Sequence, residues 1–507
     1  MPALRSSNSP SSRFTFLRRD RRSLRGVLSP TQTFAPHALR TQTGTPSDSN
    51  SQFEEGPAAA GPGQHMALDY VTTLTVSLLV VCLGVFTGSV SARLLHPIGR
   101  GQLAAIQLWP VLLATIALFG MPESVTYFAA SHRERSRQYL SSALLIVLLF
   151  SIPLIGVAYF ALPHILYSKG SMVVTGARIY LCFIPCYAFL FLPIQAVRGV
   201  GRVRLWNVLR ILPNVTWFLL LLMLFVLSKT DKLTLTAKTL ADYYLAGIGV
   251  LSIVTISIAM VSLTGSTRPD LSIMRPLLRY GLPVAGAILP ILLLLQLDQL
   301  VMTIVVSSHA LGLYVVAVSW GGAVSPILNS LGSLMLPRVA SRSGKPQQHI
   351  LLIRTSRLAV LLAIVITPPV LILTPVAIHA IFGSSYGGSV SSAYVLVLAS
   401  SFLGVSYILS ESILGLGITR GPLIAGTTGC VTMGISLAIL LPILGILGAA
   451  LSSLIGYSTM AGVLLVEAHN ATGSRFRNLY VPTAVDMRTL LDGCRVLLRR
   501  SVDKRQA

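Results

Sequence analysis

Charge is scarce in this chain, and negative charge is scarcest. Of 507 residues, 11% are charged and only 16 are Asp or Glu, where a soluble domain carries about 25% charged residues. That shortage excludes an ordinary soluble enzyme. Cysteine is sparse as well, with five residues. Cys82, Cys182, Cys186 and Cys430 lie in apolar stretches and Cys494 in the tail, without a disulfide framework or metal-ligand spacing. Cys182 and Cys186 share a helix face, where packing accounts for them. No Walker-type phosphate loop is present, so no cofactor is expected and ATP is not the energy source.

Apolar residues are abundant. They make up 53% of the chain, and the mean hydropathy is +0.74, a composition of α-helical membrane proteins. The formal net charge of +23 does not point to nucleic acid, because the basic residues sit mostly in short loops between apolar runs, where they orient helices.

Residues 1–65 differ from the rest, being rich in Ser, Arg, Pro and Thr. They lack the apolar run of a secretory signal, and Arg18, Arg19, Arg21 and Arg22 precede no hydrophobic region. A transit peptide, a disordered basic arm and an extension upstream of a start at Met66 all fit this segment. No function is placed there.

About 20 apolar residues cross a bilayer as a helix. From Met66 onward twelve such stretches occur, near 70–92, 102–129, 140–164, 174–197, 205–228, 239–264, 278–306, 312–335, 351–378, 389–417, 420–442 and 444–467. Alternate loops hold fifteen Lys and Arg on one side, at 133–137, 198–204, 268–279, 338–357 and 420. They hold seven on the other, at 93–100, 169–178 and 229–238. Positive charge marks the cytoplasm, which predicts cytoplasmic N and C termini. In the tail, 472–507, Met487, Leu490, Leu491, Cys494, Leu497 and Leu498 recur at helical spacing among arginines. That pattern predicts a basic amphipathic helix on the inner leaflet, or else a partner-binding helix.

The chain repeats itself weakly. Gly101 and Gly312 follow matching loops at an offset of 211, and Ala129 and Ala340 keep that offset. Gly199-Val200-Gly201-Arg202-Val203-Arg204 is matched by Gly415-Leu416-Gly417-Ile418-Thr419-Arg420, five residues further out of step. Two six-helix lobes, 66–268 and 269–471, are the simplest account. An even number of spans gives both lobes the same orientation, and transporters of this design bind substrate between lobes and rock them.

Ala92-Arg93-Leu94-Leu95-His96-Pro97-Ile98-Gly99-Arg100-Gly101 resembles the first-loop motif of prokaryotic polysaccharide-unit (Wzx-type) flippases. These belong to the multidrug/oligosaccharidyl-lipid/polysaccharide (MOP) flippase superfamily. Gly120-Met121-Pro122-Glu123-Ser124, Val197-Arg198-Gly199-Val200-Gly201-Arg202 and Leu205-Trp206-Asn207 are similar too. The resemblance covers roughly 66–470, with His96-Pro97 standing where glycine-proline is commoner. It implies an all-α membrane fold, two six-helix lobes forming a V around a central cavity. The implied activity is transfer of polyprenyl-diphosphate-linked oligosaccharide from the inner to the outer leaflet of the cytoplasmic membrane. Such substrates feed surface polysaccharide, lipopolysaccharide O-antigen included, and polysaccharide assembly proteins are implied partners alongside membrane lipids.

Ionisable groups inside membrane spans are functional candidates by default. Here these are Glu123, Asp242, Asp298 and Glu411, with Arg93, Arg178 and Arg210. Arg93, Arg100 and Arg210 are the candidates for a lipid diphosphate, which guanidinium groups bind by paired hydrogen bonds. Arg93 and Arg178 could instead snorkel to an interface. Asp298, with Gln296 and Gln299 beside it, could bind H+, Na+ or sugar hydroxyls, or form a buried pair with an arginine. Glu123 and Glu411 are candidates for gating or ion coupling, and simple pairing at helix ends is the alternative.

Two other functions compete. A cation-coupled drug exporter of the same superfamily would favour acidic and aromatic cavity walls without Arg. A membrane glycosyltransferase or polymerase needs a carboxylate base or metal ligands on a sizeable external loop. Here the external loops are short, with Asp231 and nearby Asp242 as their acids. Without ATP, an ion gradient or the membrane potential must drive transport, the latter at about 2.3 kcal/mol per charge per 100 mV.

Overall fold

The computed structural model describes residues 62–228, 235–322, 324–325, 328–329, 344–483 and 487. The Ser/Arg-rich extension up to residue 61, the tail beyond 483 apart from Met487, and residues 229–234 and 330–343 lie outside the described residues. So, therefore, do the amphipathic tail helix, Asp231 and most of the second part of the span 312–335.

The described residues form helices without strands. In chain order they are α1 (Pro62–Ala117), α2 (Met121–Ser131), α3 (Ser136–Ile165), α4 (Ser171–Tyr180), α5 (Phe183–Gly199), α6 (Val203–Ser228) and α7 (Ala237–Ser262). They continue with α8 (Leu271–Val305), α9 (Ser308–Gly321), α10 (Lys345–Ala377), α11 (Val390–Gly415), α12 (Arg420–Leu444), α13 (Ile446–Thr472) and the short α14 (Phe476–Tyr480). Ten stretches are long and apolar enough to span a membrane, making this a multi-pass membrane protein. The first of them, Thr75–Ser131, has 57 residues and would be about 85 Å long at 1.5 Å per residue. That is nearly three hydrocarbon thicknesses, so it contains two crossings. His96 breaks it at φ 54°, ψ 176°, outside the helical region and costly for a non-glycine residue. The turn at Phe119 (φ 50°) and Gly120 (φ 70°) then separates α1 from α2.

Packing is of the membrane kind. Val261, Ile372, Phe160 and Ile443 are among the most exposed side chains, and an apolar surface of this sort suits lipid. The interior is rich in small residues, including Ser142, Ser252, Ser412 and Ser452. Their size lets helices approach closely. Many of these hydroxyls donate to a carbonyl one turn back, as Ser412 does to Ile408 and Ser452 to Gly448, so burial leaves them satisfied.

Two apolar cores form. The larger joins α1–α7 with Leu277 of α8 and Tyr314 of α9. The smaller is built around α10–α13 and takes Leu294 from the later part of α8. Helix α8 therefore contributes to both, and it carries Pro276, Pro283 and Pro290 along its length. Such prolines are tolerated where neighbouring helices re-satisfy the freed carbonyls. The Ser124 hydroxyl donates to the Leu277 carbonyl at 3.0 Å and so ties α2 to α8.

Candidate functional site

The two ends of the bundle are identified here by His96 and by Arg135. At the His96 end the first half of the chain is clamped to the second. A Cβ on Gly101 would overlap the Ser308 carbonyl, and a Cβ on Gly312 would overlap the Pro97 carbonyl. The contact is reciprocal, since 97 and 101 pair with 308 and 312 at the single offset of 211. Only glycine at both positions allows this approach. Around it the Tyr386 hydroxyl donates to Ala92 O at 2.9 Å, and Trp109 Nε1 donates to Thr303 Oγ1 at 2.9 Å. Arg93 Nε donates to Ile381 O at 2.9 Å and its Nη2 to Ala380 O. The Lys169 ammonium donates to Val306 O, and burial holds this amine below the usual lysine range. Both cations thus meet carbonyls at helix C-terminal ends, where positive charge is favoured.

Below this clamp lies a pocket of about 120 Å³ lined by Arg100, Gln107, Thr87, Ser91, Ser319 and Trp217. These residues come from α1, α6 and α9, so both halves of the chain contribute. The Arg100 guanidinium makes no hydrogen bond or ion pair among the described residues, and its Nε is buried without a partner. Arg100 is half-buried and borders the pocket, where solvent or an anion can serve its charge.

A larger cavity of about 530 Å³ lies further along towards the Arg135 end. Thr115 and Phe119 of the α1–α2 segment, Glu123, Tyr187 and Phe191 of α5 and Leu289 of α8 line it. Its walls are mostly aliphatic and aromatic, with one carboxylate and no cation. Glu123 is exposed to this space and has no ion pair among the described residues. The one ion pair between described side chains is Lys238–Asp242 at 2.8 Å, within the first turns of α7.

Asp298 is only 2% exposed. Its carboxylate accepts from the Tyr314 hydroxyl at 2.5 Å, the Ser453 hydroxyl at 2.9 Å and the Gln299 amide at 2.7 Å. No arginine takes part. Three donors, each worth about 1.5–3 kcal/mol to a charged acceptor, offset a desolvation cost of several kcal/mol. Gln296, two residues earlier, keeps its Oε1 buried and unbonded.

The other candidates lie elsewhere. Arg210 stacks over Trp206 at 4.5 Å and donates to Ser77 Oγ at 3.0 Å and Thr73 O at 3.3 Å. This ties α6 to the start of α1, away from the residues lining either cavity. Arg178 stacks over Tyr159 at 4.3 Å and donates to its carbonyl at 3.1 Å. Glu411 is half-buried on α11, and Tyr407 one turn away lies within electrostatic reach of both Glu411 and Arg198 of the first half. Arg93 and Arg100, paired in the sequence reading, are separated by the His96 break: Arg93 meets the carbonyls of 380 and 381, and Arg100 borders the pocket. Tyr314 and Ser453, Trp217, Gln107 and Lys169 were not singled out by sequence. Of these only Gln107 had a signal there, as a polar residue inside an apolar span.

Among known proteins, the profile of the polysaccharide biosynthesis protein family matches residues 69–342, more than half of the chain. No curated protein matches the sequence. The fold is similar to the lipid II flippase MurJ in its inward closed conformation, with a TM-score of 0.64 at 15% identity over 78% of this chain and 87% of that one. An inward-facing multidrug resistance MATE family transporter of the MOP superfamily gives 0.63 at 15% identity, over 80% of this chain and 98% of that one. An outward-facing MATE family structure gives 0.54 at 15% identity, over 80% and 95%. The likeness is one of fold.

Proposed function

The chain belongs to the polysaccharide biosynthesis protein family, within a superfamily whose fold is that of transporters and flippases, and we propose that it flips a polyprenyl-diphosphate-linked oligosaccharide across the cytoplasmic membrane. The observation that carries this reading is Arg100, a half-buried cation without a hydrogen bond or ion pair among the described residues, in a polar pocket that both halves of the chain line. A diphosphate supplies the missing acceptor by charge-assisted hydrogen bonds. In this reading 66–268 and 269–471 act as two lobes, both termini are cytoplasmic, and the clamped His96 end faces outward. The substrate enters from the Arg135 end. The lobes then rock, the Gly101–Gly312 contact opens, and the head group leaves outward. Asp298 is the coupling candidate, binding H+ or Na+ between Tyr314 and Ser453.

The test uses the full chain in proteoliposomes with a fluorescent polyprenyl-diphosphate saccharide in the inner leaflet, read by an external lectin or quencher. Exposure that requires the protein and is lost in Arg100→Gln supports flipping. Exposure unchanged by Arg100→Gln removes the observation on which the reading rests.

A second reading has its own support. The 530 Å³ cavity joins Glu123 to the rings of Phe119, Tyr187 and Phe191 without a cation, a combination that suits a lipophilic cation. Efflux of such a cation from the same vesicles, lost in Glu123→Gln, would transfer the assignment to drug export.

A further inference from the structure

Four aromatic residues follow one face of α4 and α5 at spacings of three, four and four: Tyr180, Phe183, Tyr187 and Phe191. Consecutive ring centroids are 5.3, 5.3 and 5.4 Å apart, and the rings are nearly parallel, at 11°, 17° and 9°. Tyr244 of α7 lies 6.4 Å from Tyr180 at 11° and meets Trp217 edge-on at 4.2 Å. Gln107 Nε2 donates to the Tyr180 hydroxyl at 3.3 Å.

The ends of this ladder matter more than its middle. Trp217 and Gln107, at one end, line the Arg100 pocket. Tyr187 and Phe191, at the other, line the 530 Å³ cavity with Glu123. The buried rungs Tyr180 and Phe183 are 1% and 4% exposed, so they hold the ladder in place, and Tyr187 and Phe191 present its accessible part. Along α1, Arg100 to Thr115 is about 22 Å at 1.5 Å per residue, which is the reach of a short oligosaccharide.

We propose that the Tyr187–Phe191 wall with Glu123 is a carbohydrate subsite, on which pyranose rings stack while their diphosphate is held at Arg100. This rests on the flippase reading and extends it by naming the group that recognises the glycan. A pyranose has an apolar face of C–H bonds with partial positive charge, and an aromatic ring has a negative face. Flat rings in register accept successive sugars, and polar groups at the rim accept their hydroxyl protons. The Tyr187 hydroxyl makes no hydrogen bond among the described residues, and Glu123 has no ion pair there. Both are available for that role. Helix packing in a membrane is served by small residues and does not call for parallel rings opening on a cavity. The ring ladder reaches from this wall to a cation-bearing pocket, which favours a sugar attached to a phosphate over a free cation.

The experiment measures binding to the full chain in nanodiscs. The probes are farnesyl diphosphate and the same compound bearing one or four hexose residues, as glucose, galactose and N-acetylglucosamine versions. At least one glycan version is expected to bind about tenfold tighter than the bare compound. That advantage should vanish in Tyr187→Leu and Phe191→Leu, which keep apolar bulk without a flat face, and persist in reduced form in Tyr187→Phe, which keeps the face and loses the hydroxyl. Retained binding of bare farnesyl diphosphate shows that the leucine variants are folded. Arg100-dependent binding of the bare compound with no glycan advantage overturns the subsite and leaves the flippase reading standing. Loss of Arg100 dependence overturns both. Binding of tetraphenylphosphonium that needs Glu123 and Phe191, again with no glycan advantage, overturns the subsite in favour of a cation.

Discussion

Arg100, half-buried, and Asp298, buried, are two charges inside the bundle on opposite halves of the chain, and the protein treats them in opposite ways. Asp298 is saturated by Tyr314, Ser453 and the Gln299 amide. Arg100 borders a pocket and has no hydrogen bond or ion pair among the described residues. At the offset of 211 that aligns Gly101 with Gly312, Asp298 corresponds to Thr87, which lines the Arg100 pocket, and Arg100 corresponds to Leu311. The backbone contact is thus matched between halves and the charges are not. A charge whose partners are built in serves the fold or a small ion. A charge left without partners is poised for something that arrives.

That contrast can be tested by substitution. Arg100→Gln should have the largest effect, a ten- to hundredfold drop in transport, because charge-assisted bonds are worth about 1.5–3 kcal/mol. Vesicle flipping assays read this directly, and unchanged thermal stability would show that the loss is one of ligand binding. Next come Gly101→Ala and Gly312→Ala, which overpack the clamp by about 1–3 kcal/mol. Both should open the His96 end to a membrane-impermeant thiol reagent reacting at Tyr386→Cys, and to a similar degree. Unequal effects would break the equivalence of the two halves.

Smaller changes are expected at Asp298. Tyr314→Phe should lower stability by about 1–3 kcal/mol by leaving a buried acceptor underserved. Adding Asp298→Asn should recover part of that loss, as a thermal unfolding cycle would reveal. The smallest effect belongs to Asp270, which caps α8 by accepting from the Ser272 amide and hydroxyl at 2.8 and 2.7 Å. Those bonds hold its carboxyl below the usual range, so its stabilising effect is present near neutrality and lost as pH falls through the carboxylate range. Asp270→Ala should shift the melting temperature slightly at neutral pH and not at all once the carboxyl is protonated.

Much of the fold was legible because apolar runs of bilayer length are a strong signal, and because Gly101 and Gly312 mark a helix crossing that tolerates no side chain. The site was less so. Arg93 and Arg100 look alike in sequence, and only the His96 break sends one to the carbonyls of 380 and 381 and leaves the other in a pocket. The partners of Asp298 lie 16 and 155 residues away, and no local pattern marks a tyrosine or serine as a carboxylate donor. Trp206, one turn earlier, and Ser77 on α1 engage Arg210, partners that its place in an apolar run does not announce. The spacing of Tyr180, Phe183, Tyr187 and Phe191 was visible in the sequence, but it acquires meaning only from the two cavities at its ends.

The most direct test of the central claim is thermal stabilisation of the full chain by farnesyl diphosphate, measured side by side for the parent and Arg100→Gln. A ligand bound only by the folded protein raises its stability by RT ln(1 + [L]/Kd). The account predicts a concentration-dependent rise in melting temperature for the parent that is absent in Arg100→Gln. An equal rise in both would contradict it, because the diphosphate would then be held elsewhere and the Arg100 guanidinium would not be the receptor.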